Sequence, residues 1–164
     1  MEPLENSIRQ QIEYREGKLF WKACRNSTLV GRECGHLASH GYRVLKIGSE
    51  IKLTHRVVWF LHHNEWPPED KVMDHINGNR LDNRIENLRI ATRSQNGANR
   101  KYQTNNTSGY RGVHWVKADK IWRASIKVNN KVKQLGRYKT AEEASEVYEL
   151  AADLLFGEFK RGGL

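Results

Sequence analysis

Asp74 and His75 are adjacent, and two asparagines follow at positions 87 and 96. A carboxylate, an imidazole and two amides in that order suit hydrolysis of a phosphodiester. Such a reaction needs an activated water, positive charge at the scissile phosphate and help for the departing oxygen. Asp74 offers a carboxylate oxygen and Asn96 an amide oxygen, hard donors that suit Mg²⁺ or Mn²⁺ better than zinc. Two protein ligands leave positions for water and phosphate oxygens. His75, next to a ligand in the chain, can lie near a cation without binding it, and a neutral imidazole is a suitable general base near pH 7. Asn87 either ties down the intervening loop or orients the imidazole by hydrogen bonding, and Arg93 can contact a phosphate.

These residues need a scaffold of short elements. Lys18 to Trp21 and Tyr42 to Ile47 read as strands, each after a glycine turn. His55 to Leu61 reads as a short helix packed by Val58, Trp59 and Leu61, stopped by Pro67-Pro68. Val72-Met73 leads as a strand into Asp74-His75, Asn77-Gly78-Asn79 signals a turn, and Leu88 to Ala91 is a second strand. Thr92 with Gln95 three residues on forms a capping-box pattern that starts a helix carrying Arg93 and Asn96. Strand, loop, strand, helix is the predicted order. Gly97 in that helix leaves room for an approaching phosphate backbone.

The chain's charge agrees with a polyanionic partner. Its 164 residues carry 28 Lys+Arg against 19 Asp+Glu, a net charge of +9. The two cysteines, Cys24 and Cys34, exclude a disulfide framework and a four-cysteine zinc site. Reduced structural thiols are expected there, with a mixed site involving His36 and His40 as the alternative. The polar, acidic start is unlike a signal peptide, and the longest apolar run, Val57 to Leu61, is too short for a bilayer. A cytoplasmic protein with no membrane partner is expected.

The segment 99–107 is polar and reads as a linker between a module at 1–98 and another at 108–164. Beyond it, Gly109 to Val116, Ile121 to Val128 and Val132 to Tyr138 read as strands, with Asn129-Asn130 as a hairpin turn. Thr140 and Glu143 form a second capping box, and Ala144, Val147, Tyr148, Ala151 and Leu155 share one helical face that ends at Gly157. Between 109 and 139 nine basic residues face Asp119 alone, whereas 140–158 holds six acidic residues and no basic one. A sheet packed on a helix leaves its other face open. Arg123 and Lys127 share that face by alternation, where they can reach phosphates or guanine edges in a major groove.

Residues 42 to 100 resemble a phage-type HNH homing endonuclease. The resemblance rests on His55-Arg56-Val57-Val58-Trp59, Asp74-His75-Ile76-Asn77-Gly78-Asn79, Asp82-Asn83-Arg84-Ile85-Glu86-Asn87-Leu88-Arg89 and Ala91-Thr92-Arg93-Ser94-Gln95-Asn96. It implies a ββα-metal fold, with Asp74 and Asn96 as metal ligands, His75 as general base and Asn87 holding the loop. His55 takes a structural role, and His36, His40, His62 and His63 take none in catalysis.

Residues 108 to 161 resemble the Apetala-two/ethylene-response DNA-binding domain, through Ser108-Gly109-Tyr110-Arg111-Gly112-Val113-His114-Trp115, Lys120-Ile121-Trp122-Arg123-Ala124 and Leu135-Gly136-Arg137-Tyr138. That implies a three-stranded antiparallel sheet on one helix, an α+β chain overall. Its DNA contacts would be Arg111, Trp115, Lys117, Arg123, Lys127, Lys133 and Arg137. His114 and Gln134 depart from the plant pattern, so the plant target sequence does not transfer.

Together the resemblances imply a metal-dependent endonuclease on double-stranded DNA. It would act as a single chain, nick one strand and need no small-molecule cofactor, in a host cytoplasm if phage-encoded. A non-catalytic DNA-binding regulator is the alternative, and RNA binding a third. Residues 1–41 either complete the N-terminal fold or add DNA contacts through Lys22, Arg25 and Arg32.

Overall fold

The computed structural model describes residues 3–100 and 106–161. It is a mixed helix-and-strand architecture of small sheets, and its packing separates Met1–Ile90 from Ala91–Leu164. No helix among the described residues is long and apolar enough to cross a membrane.

The first unit begins with α1 (Pro3–Gln11) and a hairpin of β1 (Ile12–Arg15) and β2 (Lys18–Trp21). Glu16 and Gly17 both take left-handed φ at the turn, as a tight antiparallel hairpin requires. Next come β3 (His36–Leu37), β4 (Arg43–Ile47) and β5 (Glu50–Leu53), an antiparallel sheet with β4 central. Helix α2 (Thr54–His63) follows, and then β6 (Val72–His75) pairs with β7 (Leu88–Ala91).

Ile8, Ile12, Leu19, Leu45, Val57, Phe60, Met73 and Leu88 form one buried core. Ile8, Ile12, Leu19 and Cys34 belong to it, so α1, the β1–β2 hairpin and the segment through Cys34 help to build the core of the first unit. Cys24 and Cys34 are free thiols, and burial pushes the Cys34 thiol up to about 12.

Helix α2 runs two residues past the expected Leu61, to His63, and stops short of the prolines. Asn64 takes a left-handed conformation at φ 61°, and its backbone N–H donates to the Phe60 carbonyl at 2.9 Å. The helix stop is therefore Asn64, with Pro67 and Pro68 beyond it.

The second unit holds α3 (Arg93–Ala98), β8 (Val113–Val116), β9 (Ile121–Val128), β10 (Lys131–Tyr138) and α4 (Ala141–Phe156). Both capping boxes form: Thr92 accepts from the Gln95 amide, Thr140 from that of Glu143, and each glutamine or glutamate side chain accepts from its cap residue's N–H. The sheet order is β10-β9-β8, antiparallel throughout, and Asn129 and Asn130 turn the β9–β10 hairpin at φ 50° and 63°. Alternation along β9 puts Ala124 and Ile126 against α4, where they join Val113, Ala144, Tyr148, Ala152 and Phe156. Ala98 of α3 is buried in the same layer. One helical residue departs from expectation: Leu155 is 42% exposed, and Phe156 takes the buried place at the end of α4.

Of the polar stretch at 99–107, residues 101–105 lie outside the described residues. Its two ends are ordered by hydrogen bonds. Asn99 is buried and its N–H donates to the Gln95 carbonyl, while the Asn106 side chain accepts from the Ser108 N–H and donates to the Tyr110 carbonyl.

Candidate active site

Strand β6 delivers Met73, Asp74 and His75 to the interior, all three below a tenth exposed. Burying a carboxylate and an imidazole requires partners for both. For Asp74 the partner is Arg89 on the paired strand, whose Nε donates to Oδ2 at 2.9 Å. The guanidinium thereby offsets the buried charge and sets the carboxylate's orientation.

For His75 the partner is Asn83, with Nε2 and Asn83 Oδ1 3.0 Å apart. An amide oxygen can only accept, so the imidazole carries its proton on Nε2 and the lone pair resides on Nδ1. Asn83 is itself 2% exposed, so this contact is fixed from both sides. Burial holds the His75 imidazolium below its ordinary range, partly offset by the Asn83 hydrogen bond and the Asp74 charge.

The loop that carries Asn83 is tied by Asn87. Its Oδ1 accepts from the Asn77 N–H at 2.9 Å, and its Nδ2 donates to the Asp82 carbonyl at 2.7 Å and to Asn77 Oδ1 at 3.1 Å. Of the two roles open to Asn87 from the sequence, the geometry shows loop-holding, and orientation of the imidazole falls to Asn83. Asp82 accepts from Asn77 and Arg84, and the Arg84 hydrogen bond holds its carboxyl well below the usual range.

From outside, the β1–β2 hairpin braces the same loop. The Ile85 N–H donates to the Tyr14 hydroxyl at 3.2 Å, and a Cβ on Gly17 would lie 2.7 Å from the Arg84 backbone nitrogen.

Aromatic rings pack against the imidazole. His55 meets His75 edge-on with centroids 5.3 Å apart, and Tyr42 lies 6.0 Å from His75 and 5.3 Å from His55. The Arg80 guanidinium sits over the Tyr42 ring at 5.0 Å and donates to the His40 carbonyl at 3.3 Å.

In the second unit, α3 carries Arg93, exposed, and Asn96, half-buried. Strand register sorts the basic residues of the sheet. Arg123 lies opposite His114 on one side and Arg137 on the other, so these three make a row on the face away from α4. Lys127 shares that face. Asp119 holds the row in place, with its carboxylate 3.6 Å from Arg123 and 3.5 Å from Arg137. Lys133 pairs with Ile126 and Trp115 with Trp122, which puts both on the α4 side of the sheet, at exposed ends. Lys117 lies exposed in the β8–β9 turn. The Arg111 guanidinium donates to the carbonyls of Ala98 and Arg100, tying the end of α3 to the start of the sheet.

A family model described as HNH endonuclease matches residues 52–98, the segment that contains β6, the Asn83 loop, β7 and α3. An uncharacterized HNH endonuclease of Acanthamoeba polyphaga mimivirus is 33% identical over 131 residues, covering 80% of this chain and 67% of that protein. The chain belongs to the HNH endonuclease family. Protein 3.8 of Escherichia phage T7 is 32% identical over 94 residues, which cover 57% of this chain and 77% of that protein. No solved structure matches.

Within this HNH segment, sequence reasoning passed over Asn83 and Arg89. The available signal was chemical: a buried imidazole needs an acceptor of fixed position, and a buried carboxylate needs a cation one strand away. The remaining histidines keep minor places. His36 and His40 are exposed, and His62 and His63 lie exposed on the last turn of α2.

His55 is expected to make the first unit acid-sensitive. It is 5% exposed, and burial, with smaller contributions from His75 and Arg56, pulls its imidazolium down to about 3. A folded value below the unfolded one means that stability is full above the unfolded pKa, about 6.5, and is lost as pH falls toward 3. At pH 5 the loss from this residue is about 2 kcal/mol. Urea denaturation at pH 7.5 and 5 checks it: His55→Phe should narrow the difference between the two pH values, and an unchanged difference would refute the assignment.

Proposed function

We propose that this chain is a metal-dependent, site-specific DNA endonuclease of the homing type, one that nicks a single strand of a duplex. The observation that carries the reading is a buried imidazole with a defined tautomer. It is held by Asn83, lies next to the Asp74 carboxylate and falls inside the HNH-matched segment.

In this reading His75 is the general base. Nδ1 takes a proton from a water, whose oxygen attacks phosphorus as the bond to the 3′ oxygen breaks. The departing oxygen is protonated from solvent, leaving a 3′-hydroxyl and a 5′-phosphate. Asn83 keeps the Nε2 proton in place, and Asn87 keeps the loop from shifting.

Asp74 and Asn96 would hold a divalent cation, with β6, β7 and α3 forming a ββα-metal unit. Among the described residues no three His, Cys, Asp or Glu side chains gather into a cluster, whereas a carboxylate and an amide are hard oxygen donors that suit Mg²⁺ or Mn²⁺. Such a cation supplies positive charge for the scissile phosphate and the departing oxygen. Arg93, exposed in the first turn of α3, would contact the backbone nearby.

The second unit serves as the DNA reader, in the manner of an Apetala-two domain. Arg123, Lys127 and Arg137 on the open face, with Lys117 at its edge, are the contacts favoured by register. The nuclease module would then span 1–98 and the reader 108–164, acting as one chain on DNA. Arg111 is a holding residue in this scheme, and Lys133 and Trp115 contribute at the margins.

A supercoiled plasmid carrying DNA from the source genome tests the reading. Conversion to nicked circles with Mg²⁺ or Mn²⁺, stopped by EDTA, is the expected result. Duplex binding without cleavage under either metal, on DNA that carries the target, would favour the regulator instead.

A further inference from the structure

Three arginines belong to the loop and return strand around His75: Arg80, Arg84 and Arg89. Two are neutralised. Arg84 pairs with Asp82 at 2.8 Å, and Arg89 pairs with Asp74 at 2.9 Å. Arg80 has no carboxylate partner among the described residues. Its guanidinium rests on the Tyr42 ring and gives one long hydrogen bond, 3.3 Å, to the His40 carbonyl. It is exposed, yet held in a defined orientation on a ring whose centroid lies 6.0 Å from that of His75.

An oriented, unneutralised guanidinium on the ring that packs against His75 has two simple explanations. One is a strap that joins the turn at 38–42 to the loop. The loop does not need it, because Asn87, Asn77 and Tyr14 already tie the loop with bonds of 2.7–3.2 Å. A strap made of one long hydrogen bond and an exposed cation–π contact adds little to that. The other is an anion site. A guanidinium presents planar donors that match the non-bridging oxygens of a phosphodiester, and a ring beneath it limits its orientation without using those donors.

We infer that Arg80, seated on Tyr42, is a phosphate-binding residue that grips the DNA backbone beside His75. The inference rests on the nuclease reading above and names a contact that reading lacks. Arg80 would bring a phosphate next to Nδ1 of His75, and so raise both affinity and the fraction of bound duplex in reacting geometry.

The test uses the full chain and a fluorescein-labelled duplex oligonucleotide in EDTA, so that binding is read without cleavage. Removing one cation from a phosphate makes the slope of log K against log salt shallower by about 0.9. Arg80→Gln should show a change of about that size, Arg80→Lys should restore most of the slope, and both should melt at the wild-type temperature. On cleavable plasmid with metal, Arg80→Gln should also cut more slowly than wild type at saturating protein. An unchanged slope with duplex binding intact overturns the inference and leaves the nuclease reading standing. A lower melting temperature in both variants, with weakened binding to match, identifies a strap and also overturns it. Failure of the wild type to bind any duplex overturns the nuclease reading and the inference together.

Discussion

His75→Ala is expected to lower metal-dependent nicking by about 10²- to 10⁴-fold while duplex binding persists. The imidazole is buried and oriented by the Asn83 amide oxygen, and the other polar side chain of β6, Asp74, is paired with Arg89, so the imidazole is the base that β6 offers to the attacking water. Asn83→Ala should give a smaller loss, because the imidazole survives but its Nε2 proton loses its acceptor.

The pH dependence follows from the same geometry. With His75 as the proposed general base, catalysis would need the neutral ring, and burial holds the imidazolium pKa below the ordinary value of about 6.5. Activity should therefore persist as pH falls through about 6.5 and decline only at more acid values. Single-turnover rates on plasmid, measured across pH for wild type and Asn83→Ala, check both points. Wild-type rates in His75→Ala would remove His75 from the mechanism; His75→Asn guards against a loss that merely reflects a cavity.

The second large effect is on stability. Gly112 has φ +68°, a left-handed conformation costly for any residue with a Cβ. A Cβ there would also lie 2.3 Å from the Tyr148 ring and 2.5 Å from the Ser125 carbonyl oxygen. The Gly112 carbonyl accepts from the Ser125 N–H at 2.8 Å, so the backbone has no freedom to retreat. Backbone strain of about 1–2 kcal/mol and overpacking of about 1–3 kcal/mol add to a destabilisation of roughly 3 kcal/mol for Gly112→Ala.

Gly109→Ala is the matched control. Its φ is +74°, yet nothing lies within 4 Å of its Cβ position, so it should lose only the conformational part. Denaturation followed by amide signals of the second unit separates them. Equal destabilisation in the two variants would show that the close approach of Gly112 to Tyr148 contributes nothing.

Much of the second unit was legible because its signals are local. Trp122 to Val128 alternates strictly, and β9 spans Ile121–Val128 as expected. Asn129-Asn130 and the two capping boxes carry their own geometry in adjacent residues. Leu155 was misread because Phe156, one position on, competes for the same buried place as the helix ends.

In the first unit, Asp74 and His75 stood out as chemistry. Asn83 did not, since one asparagine among Asn77, Asn79, Asn83 and Asn87 looks like any other until the loop closes and only one meets the imidazole. Helix α1 escaped notice because most of PLENSIRQQ is polar, and the burial of Ile8 depends on elements far along the chain. The stop at Asn64 was hidden by the stronger signal of Pro67-Pro68, although a left-handed asparagine terminates a helix without help from proline.

The brace from the β1–β2 hairpin bears on how this nuclease can be recombined. The family match opens at residue 52, yet the loop presenting Asn83 leans on Tyr14 and Gly17, and its core includes Ile8, Ile12 and Leu19. A fragment cut at the match boundaries would leave Ile85 without the Tyr14 hydroxyl and strip one wall from the hydrophobic interior. Grafting the cutting function onto a different partner domain therefore calls for the chain from α1 onward. The transplantable unit is larger than its recognisable signature, and fusion junctions belong upstream of the first helix.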